Sequence, residues 1–250
     1  MLVLLSPSKK IENTAPKDVQ TTQPQLADEA TGLSKILQNY SQKDIQNLMG
    51  LSDNLAALNH GRYQHFSEQE QSPALFTFKG DVYDKMDVAN YSADDLAFAQ
   101  NHIRILSGLY GVLRPLDAMR PYRLEMGTKL QTEAGKNLYA YWGTRVTQTL
   151  NEASADVVVN LASQEYFKAV QPENLSGDVL HVDFKQIKNG KTKTIGLMAK
   201  RARGLMADYM IKNRLQNPNE LENFDREGYV FRPDMSDDAV LTFTLNMDDK

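Results

Sequence analysis

The segment Val157-Val-Val-Asn160 is apolar at three positions in a row and ends on a polar residue. It lacks the in-out alternation of a half-exposed strand, so it reads as a strand covered on both faces, the situation found inside an α/β sheet. Leu2 to Leu5 is a second such strand, stopped by Ser6-Pro7. Glu12 to Pro24 reads as a polar loop. Helical patterns run through Gln25 to Gln38 and Asp44 to Phe66, while Ala74 to Tyr83 reads as a strand. Ser92-Ala-Asp-Asp opens a helix whose residues Leu96, Ala99, Ile103 and Leu106 share one face. Asn189-Gly190, inside an alternating segment, is a two-residue hairpin turn, and a helix follows from about Lys200 to Leu215. Two short strands, GYVF and VLTFTL, close the sequence. Hairpins mixed with helical crossovers predict one α/β domain over residues 1–250, a mixed β-sheet flanked by helices.

Composition removes several kinds of chemistry. There is no cysteine, hence no thiol nucleophile, disulfide framework or thiolate cluster. The four histidines (60, 65, 102 and 181) are scattered without the spacing that places two ligands on one helix face, so no metal site and no cofactor are expected. The apolar start is too short for a signal-peptide core, and no stretch approaches a membrane-spanning length. A cytoplasmic protein with no membrane partner is expected. The net charge of −4 gives no global argument for nucleic acid. Its distribution is uneven: residues 185–214 hold nine Lys or Arg against Asp208 alone, and residues 216–250 reverse the sign.

Polar residues gather just past the apolar runs. SPSK (Ser6 to Lys9), KGDVY (Lys79 to Tyr83) and NLASQEYFK (Asn160 to Lys168) are such segments, and ligands of α/β sheets sit outside the carboxyl ends of strands. Lys200 and Arg203, three apart near a helix start, share a face. Residues 104–127, RILSGLYGVLRPLDAMRPYRLEMG, combine glycines, prolines and arginines. Such a stretch is either a tight structural corner or a phosphate-binding element, in which Gly108 and Gly111 expose backbone N–H groups and arginines supply planar forks. The anion-binding set is Lys9, Lys79, Arg104, Gly108, Gly111, Arg114, Arg123, Lys168, Lys200 and Arg203. Trp142, within LYAYWG, is either a stacking platform or a packing residue.

Several blocks together, FKGDVY, RILSGLYGVLRPLDAMRPYRLEMG, LYAYWG, VVNLASQEYFK, KRARGLM and EGYVF, in this order, resemble the YaaA family of bacterial peroxide-stress proteins over nearly the whole chain. One departure is SPSKK near the start, where Ser8 and Lys10 differ from the family's pattern. The resemblance implies an α/β fold of the family's own kind, a cytoplasmic role in limiting damage by unincorporated iron under hydrogen peroxide, a helix-hairpin-helix element and double-stranded DNA bound in a basic cleft.

Three functions remain open on the residues alone. A groove for DNA or another phosphate-bearing ligand accounts for the lysines and arginines. An enzyme acting on a nucleotide-like substrate accounts better for Glu125, Tyr83, Asp81 and Tyr166, whose carboxylates and phenols suit proton transfer. A non-catalytic interaction protein would scatter these groups over the surface. Convergence of Lys9, Lys79, Arg104, Arg123, Lys168 and Lys200 on one cleft is the expectation that separates the first two from the third.

Overall fold

The computed structural model describes residues 1–248. Its main sheet contains β1 (Leu2–Leu5), β2 (Ile103–Ser107), β3 (Gly111–Leu113), β4 (Val157–Asn160), β5 (Asp178–Lys188), β6 (Lys191–Lys193), β7 (Tyr229–Phe231) and β8 (Val240–Asn246). The order across the sheet is β7-β8-β5-β4-β1-β2-β3, with β6 folded back onto β5. The strands β8, β5, β4, β1 and β2 are mutually parallel, and β3, β6 and β7 are antiparallel to their neighbours. It is the expected single-domain mixed sheet. The helices that flank it are α1 (Ala27–Gln38), α2 (Gln42–Met49), α3 (Asp53–Gln64), α4 (Ala93–His102), α5 (Leu138–Trp142), α6 (Arg145–Asn151), α7 (Gln164–Phe167) and α8 (Gly196–Asn213).

Chain order explains where a ligand could sit. From β1 the chain travels to β2 on one side, then returns to lay β4 on the other, so the parallel strands follow the 2-1-3-4-5 order of doubly wound sheets. The connections leaving β1 and β4 diverge, which opens a crevice beyond their carboxyl ends. β1 is buried at all four positions and β4 at its last three, as their unbroken apolar character requires. The hairpin turn at Asn189-Gly190 forms as read: both residues are left-handed, with φ of 51° and 69°, the geometry that an Asn-Gly pair supplies at least cost. None of the described helices is long and apolar enough to cross a membrane.

Three sequence expectations need correction. The helix expected over Asp44 to Phe66 is two helices. Gly50 caps α2 in the left-handed region at φ 61°, and the chain restarts after Ser52. The strand expected over Ala74 to Tyr83 is instead a buried helical turn, Ala74–Thr77, then a two-residue strand, Phe78–Lys79, paired with Lys10–Ile11. Thr77 Oγ1 donates to the Pro73 carbonyl at 2.7 Å and closes that turn, a choice that a short apolar run does not reveal.

The third correction concerns residues 103–113. Helix α4 stops at His102, and Ile103 and Leu106, expected on its apolar face, lie in β2, with Val3 opposite Ile103 and Leu5 opposite Ile105. The turn Gly108-Leu-Tyr-Gly111 then leads into β3, so this stretch is a β-hairpin on the sheet edge and not a helix-hairpin-helix. Pairing of Ile-Arg-Ile-Leu with the buried β1 outweighs continuation of the helix.

Candidate functional site

A cleft of about 480 Å³ opens at the carboxyl ends of β1 and β4. Its walls come from five segments: Ser6 to Lys10, Gly80 to Tyr83, Tyr122 to Glu125, the Leu161 to Tyr166 turn, and the α8 residues Lys200 and Arg203. Pro7 ends β1, and the freed Ser6 joins the two sides of the crevice, because its Oγ accepts from Ser163 N at 2.8 Å and donates to Ser163 Oγ at 3.3 Å. Tyr83 Oη donates to the Ser6 carbonyl at 2.9 Å, which fastens the Gly80–Tyr83 segment to the Ser6–Lys10 segment.

Two glycines set the other walls by backbone contact. A Cβ on Gly204 would lie 1.9 Å from the Val82 carbonyl oxygen, so α8 crosses the Gly80–Tyr83 turn closer than any side chain permits. One on Gly108 would lie 2.2 Å from the Leu124 carbonyl oxygen, so the β2–β3 turn supports the segment that carries Arg123 and Glu125. The same segment is held from behind by Tyr63 Oη, which donates to the Arg123 carbonyl at 2.7 Å, and by Tyr122 Oη and Ser107 Oγ at 2.7 Å.

The lining is mixed in charge: Lys9, Lys10, Arg123, Lys200 and Arg203 against Asp81, Glu125 and Glu165. Glu125 lies between two cations, with Oε2 at 2.7 Å from Lys9 Nζ and Oε1 at 3.4 Å from an Arg123 terminal nitrogen. Glu165 Oε1 accepts from Gly127 N at 2.9 Å. Arg203 is largely buried, and this pushes its pKa down against the pull of Asp183. The Nε atoms of Arg123 and Arg203 are buried without a hydrogen-bond partner. Lys200 is exposed, and among the described residues neither it nor Asp81 has an ion-pair partner. Burial pushes the phenols of Tyr83, Tyr122 and Tyr166 up, further from ionisation.

Of the six cations expected to converge, Lys9, Arg123 and Lys200 line this cleft, and Arg203, Glu125, Tyr83, Asp81 and Tyr166 join them. Lys79, Arg104 and Lys168 do not. Lys79 lies on a separate hollow of about 290 Å³. Lys168 is exposed, with its ammonium 5.0 Å from the centre of the Tyr139 ring. Arg104 is buried inside β2, donates to the Gln100 and Ile103 carbonyls, and has its pKa pushed down to about 10 by burial. Gly108 and Gly111 are packing positions: a Cβ on Gly111 would lie 2.8 Å from Leu26 and 2.9 Å from Trp142. Trp142 is fully buried and donates from Nε1 to the Gly108 carbonyl at 3.0 Å, which makes it a packing residue. Ser6, Ser163 and Tyr122 are lining residues that the sequence reading passed over. Their signal was position: Ser6 directly follows β1, Ser163 lies three residues past the end of β4, each inside a polar segment singled out above, and Tyr122 precedes Arg123.

Arg114 belongs to the corner. Its guanidinium donates to Asp117 Oδ1 from Nε at 3.0 Å and from Nη2 at 2.8 Å, and Nη2 also reaches the Gln23 carbonyl at 2.8 Å. Asp117 is completely buried, so Arg114→Ala leaves its charge short of a partner. The expected result is a loss of about 2–4 kcal/mol in unfolding free energy, read by urea titration, with anion binding unchanged in the folded protein.

A family model described as "Peroxide stress protein YaaA" matches residues 1–235. A UPF0246 protein of Acaryochloris marina is 50% identical over 253 residues, covering 98% of this chain and 100% of that protein. UPF0246 proteins of Saccharophagus degradans and Hahella chejuensis are 45% and 47% identical, each covering 98% of this chain and 99% of the relative. With a match over most of its length and relatives this similar from end to end, the chain belongs to the YaaA (UPF0246) family of peroxide stress proteins.

Proposed function

We propose that this chain contributes to peroxide resistance by binding a small phosphate-bearing ligand, of nucleotide size, in the cleft beyond β1 and β4, and that limiting iron-dependent oxidative damage is the downstream effect. One observation carries the reading: Lys9, Arg123, Lys200 and Arg203, from three separate segments, converge on the crevice where a doubly wound sheet places its ligands. The forks of Arg123 and Arg203 each keep a buried, unpartnered Nε, which suits an oxyanion. A volume of about 480 Å³ is that of a small-molecule site. The carboxylates of Asp81 and Glu165 in the wall would repel a continuous backbone of duplex phosphates, while a carboxylate can accept from the hydroxyl or amino groups of a nucleotide.

Calorimetric titration with pyrophosphate, AMP and a short DNA duplex tests this. Expected is binding of the two small ligands, weakened at least tenfold by Lys200→Ala or Arg203→Ala. Binding of the duplex alone, unaffected by these substitutions, would overturn the reading in favour of a nucleic-acid surface elsewhere. A second reading, that the ligand is a substrate, draws on the Asp81 carboxylate, which has no ion-pair partner among the described residues, in the same cleft as the neutral Tyr166 phenol, an acceptor and a donor of the kind proton transfer uses. It expects Asp81→Asn to retain binding and abolish turnover of the bound nucleotide.

A further inference from the structure

We infer that Glu125 is the specificity-determining residue of the cleft: its carboxylate occupies Lys9 and Arg123 as a resident anion, and so limits the number of phosphate charges the site accepts. The inference rests on the phosphate-binding reading above and says which phosphates bind. Its basis is geometric. Lys9 Nζ reaches Glu125 Oε2 at 2.7 Å, and Arg123 reaches Oε1 at 3.4 Å, so one carboxylate spans two cations from different walls. Both oxygens are engaged. Lys200, in contrast, has no ion-pair partner among the described residues, and Arg203 is opposed only by the more distant Asp183.

The cleft therefore has two cationic sides of different status. The α8 side, with Lys200 and Arg203, is open to the first phosphoryl group. On the Lys9–Arg123 side one carboxylate offsets one of two positive charges, and a second or third phosphoryl group reaches that side only by displacing Glu125 or by tolerating its negative charge. Glu125 is 28% exposed and Arg123 17%, while Lys9 is 62% exposed, so solvent screens the carboxylate less on its Arg123 side, where its repulsion reaches into the cleft. A carboxylate in this place disfavours ligands in proportion to their charge, which is discrimination by a repulsive element. Glu125 thus reduces the advantage that di- and triphosphates would otherwise have over phosphomonoesters in a cationic cleft.

Glu125→Gln keeps the side-chain shape and removes the charge. Affinities of orthophosphate, pyrophosphate and tripolyphosphate are measured by calorimetry at low salt for the unaltered chain and the variant. Expected is a gain that grows with ligand charge: about twofold for orthophosphate and tenfold or more for tripolyphosphate. An equal gain for all three, or a loss for all three, overturns the inference while the phosphate-binding reading stands. Failure of the unaltered chain to bind any of the three overturns both.

Discussion

Gly204→Ala is expected to lower the unfolding free energy by about 2–3 kcal/mol and to weaken phosphate binding in the protein that remains folded. The added Cβ would meet the Val82 carbonyl oxygen at 1.9 Å, the Val82 carbonyl carbon at 2.8 Å and the Lys85 Cβ at 3.0 Å. Two of the three are backbone atoms that no rotamer change can move. Either α8 retreats or the Gly80–Tyr83 turn does, and both carry walls of the cleft, so Lys200 and Arg203 separate from Tyr83 and Ser6. Gly61, inside α3 with nothing within 4 Å of a Cβ, is the matched control. Alanine there should stabilise the helix by up to about 1 kcal/mol, because alanine loses less backbone entropy than glycine. Opposite signs for one chemical change at two helix positions, measured by denaturant titration, would assign the Gly204 effect to the contact with Val82. A neutral or stabilising Gly204→Ala would show that α8 is not held against that turn.

Trp142→Ala should cost more, about 3–5 kcal/mol, because it empties the volume of a fully buried indole. The indole also satisfies the Gly108 carbonyl, which is otherwise shut inside the protein, and it packs against Gly111. The loss reaches the site through the β2–β3 turn. Gly108 touches the Leu124 backbone directly, so a turn that relaxes into the cavity shifts the segment bearing Arg123 and Glu125. Trp142→Phe keeps most of the ring volume and removes the donor. It should cost about 1–3 kcal/mol, and the difference between the two variants separates the cavity from the hydrogen bond. Equal stability of Trp142→Phe and the unaltered chain would mean that Gly108 finds another donor.

Much of the architecture was legible because the sheet's demands are written locally. The run of three valines in β4, the Asn189-Gly190 turn and the serine that opens α4 each name their own structure. Residues 103–107 were not legible in the same way. Ile103 and Leu106 fit the apolar face of the preceding helix as well as they fit a strand, and only the distant partner β1 decides. The site shows the same division. Loops that follow β1 and β4 were recognisable as ligand-side segments, Lys9 was named from the first of them, and Lys200 and Arg203 were named from their shared face near a helix start. Arg104, Arg114, Gly108 and Gly111 have the composition of a phosphate site, but the fold uses them internally. Arg114 is claimed by the buried Asp117 three residues on and by the distant Gln23 carbonyl, and Gly108 by the Leu124 backbone, partners that composition does not disclose.

Hydrogen exchange of the full chain with and without saturating pyrophosphate, resolved by peptide, locates bound phosphate most directly. Slowed exchange is expected in three places, the Ser6 to Lys10 loop, the Leu161 to Tyr166 turn and the first two turns of α8, with residues 111–118 unchanged. Protection confined to the 111–118 corner or to the Lys188 to Lys193 hairpin, with the β1 and β4 loops unaffected, would contradict the assignment of the ligand site to the cleft.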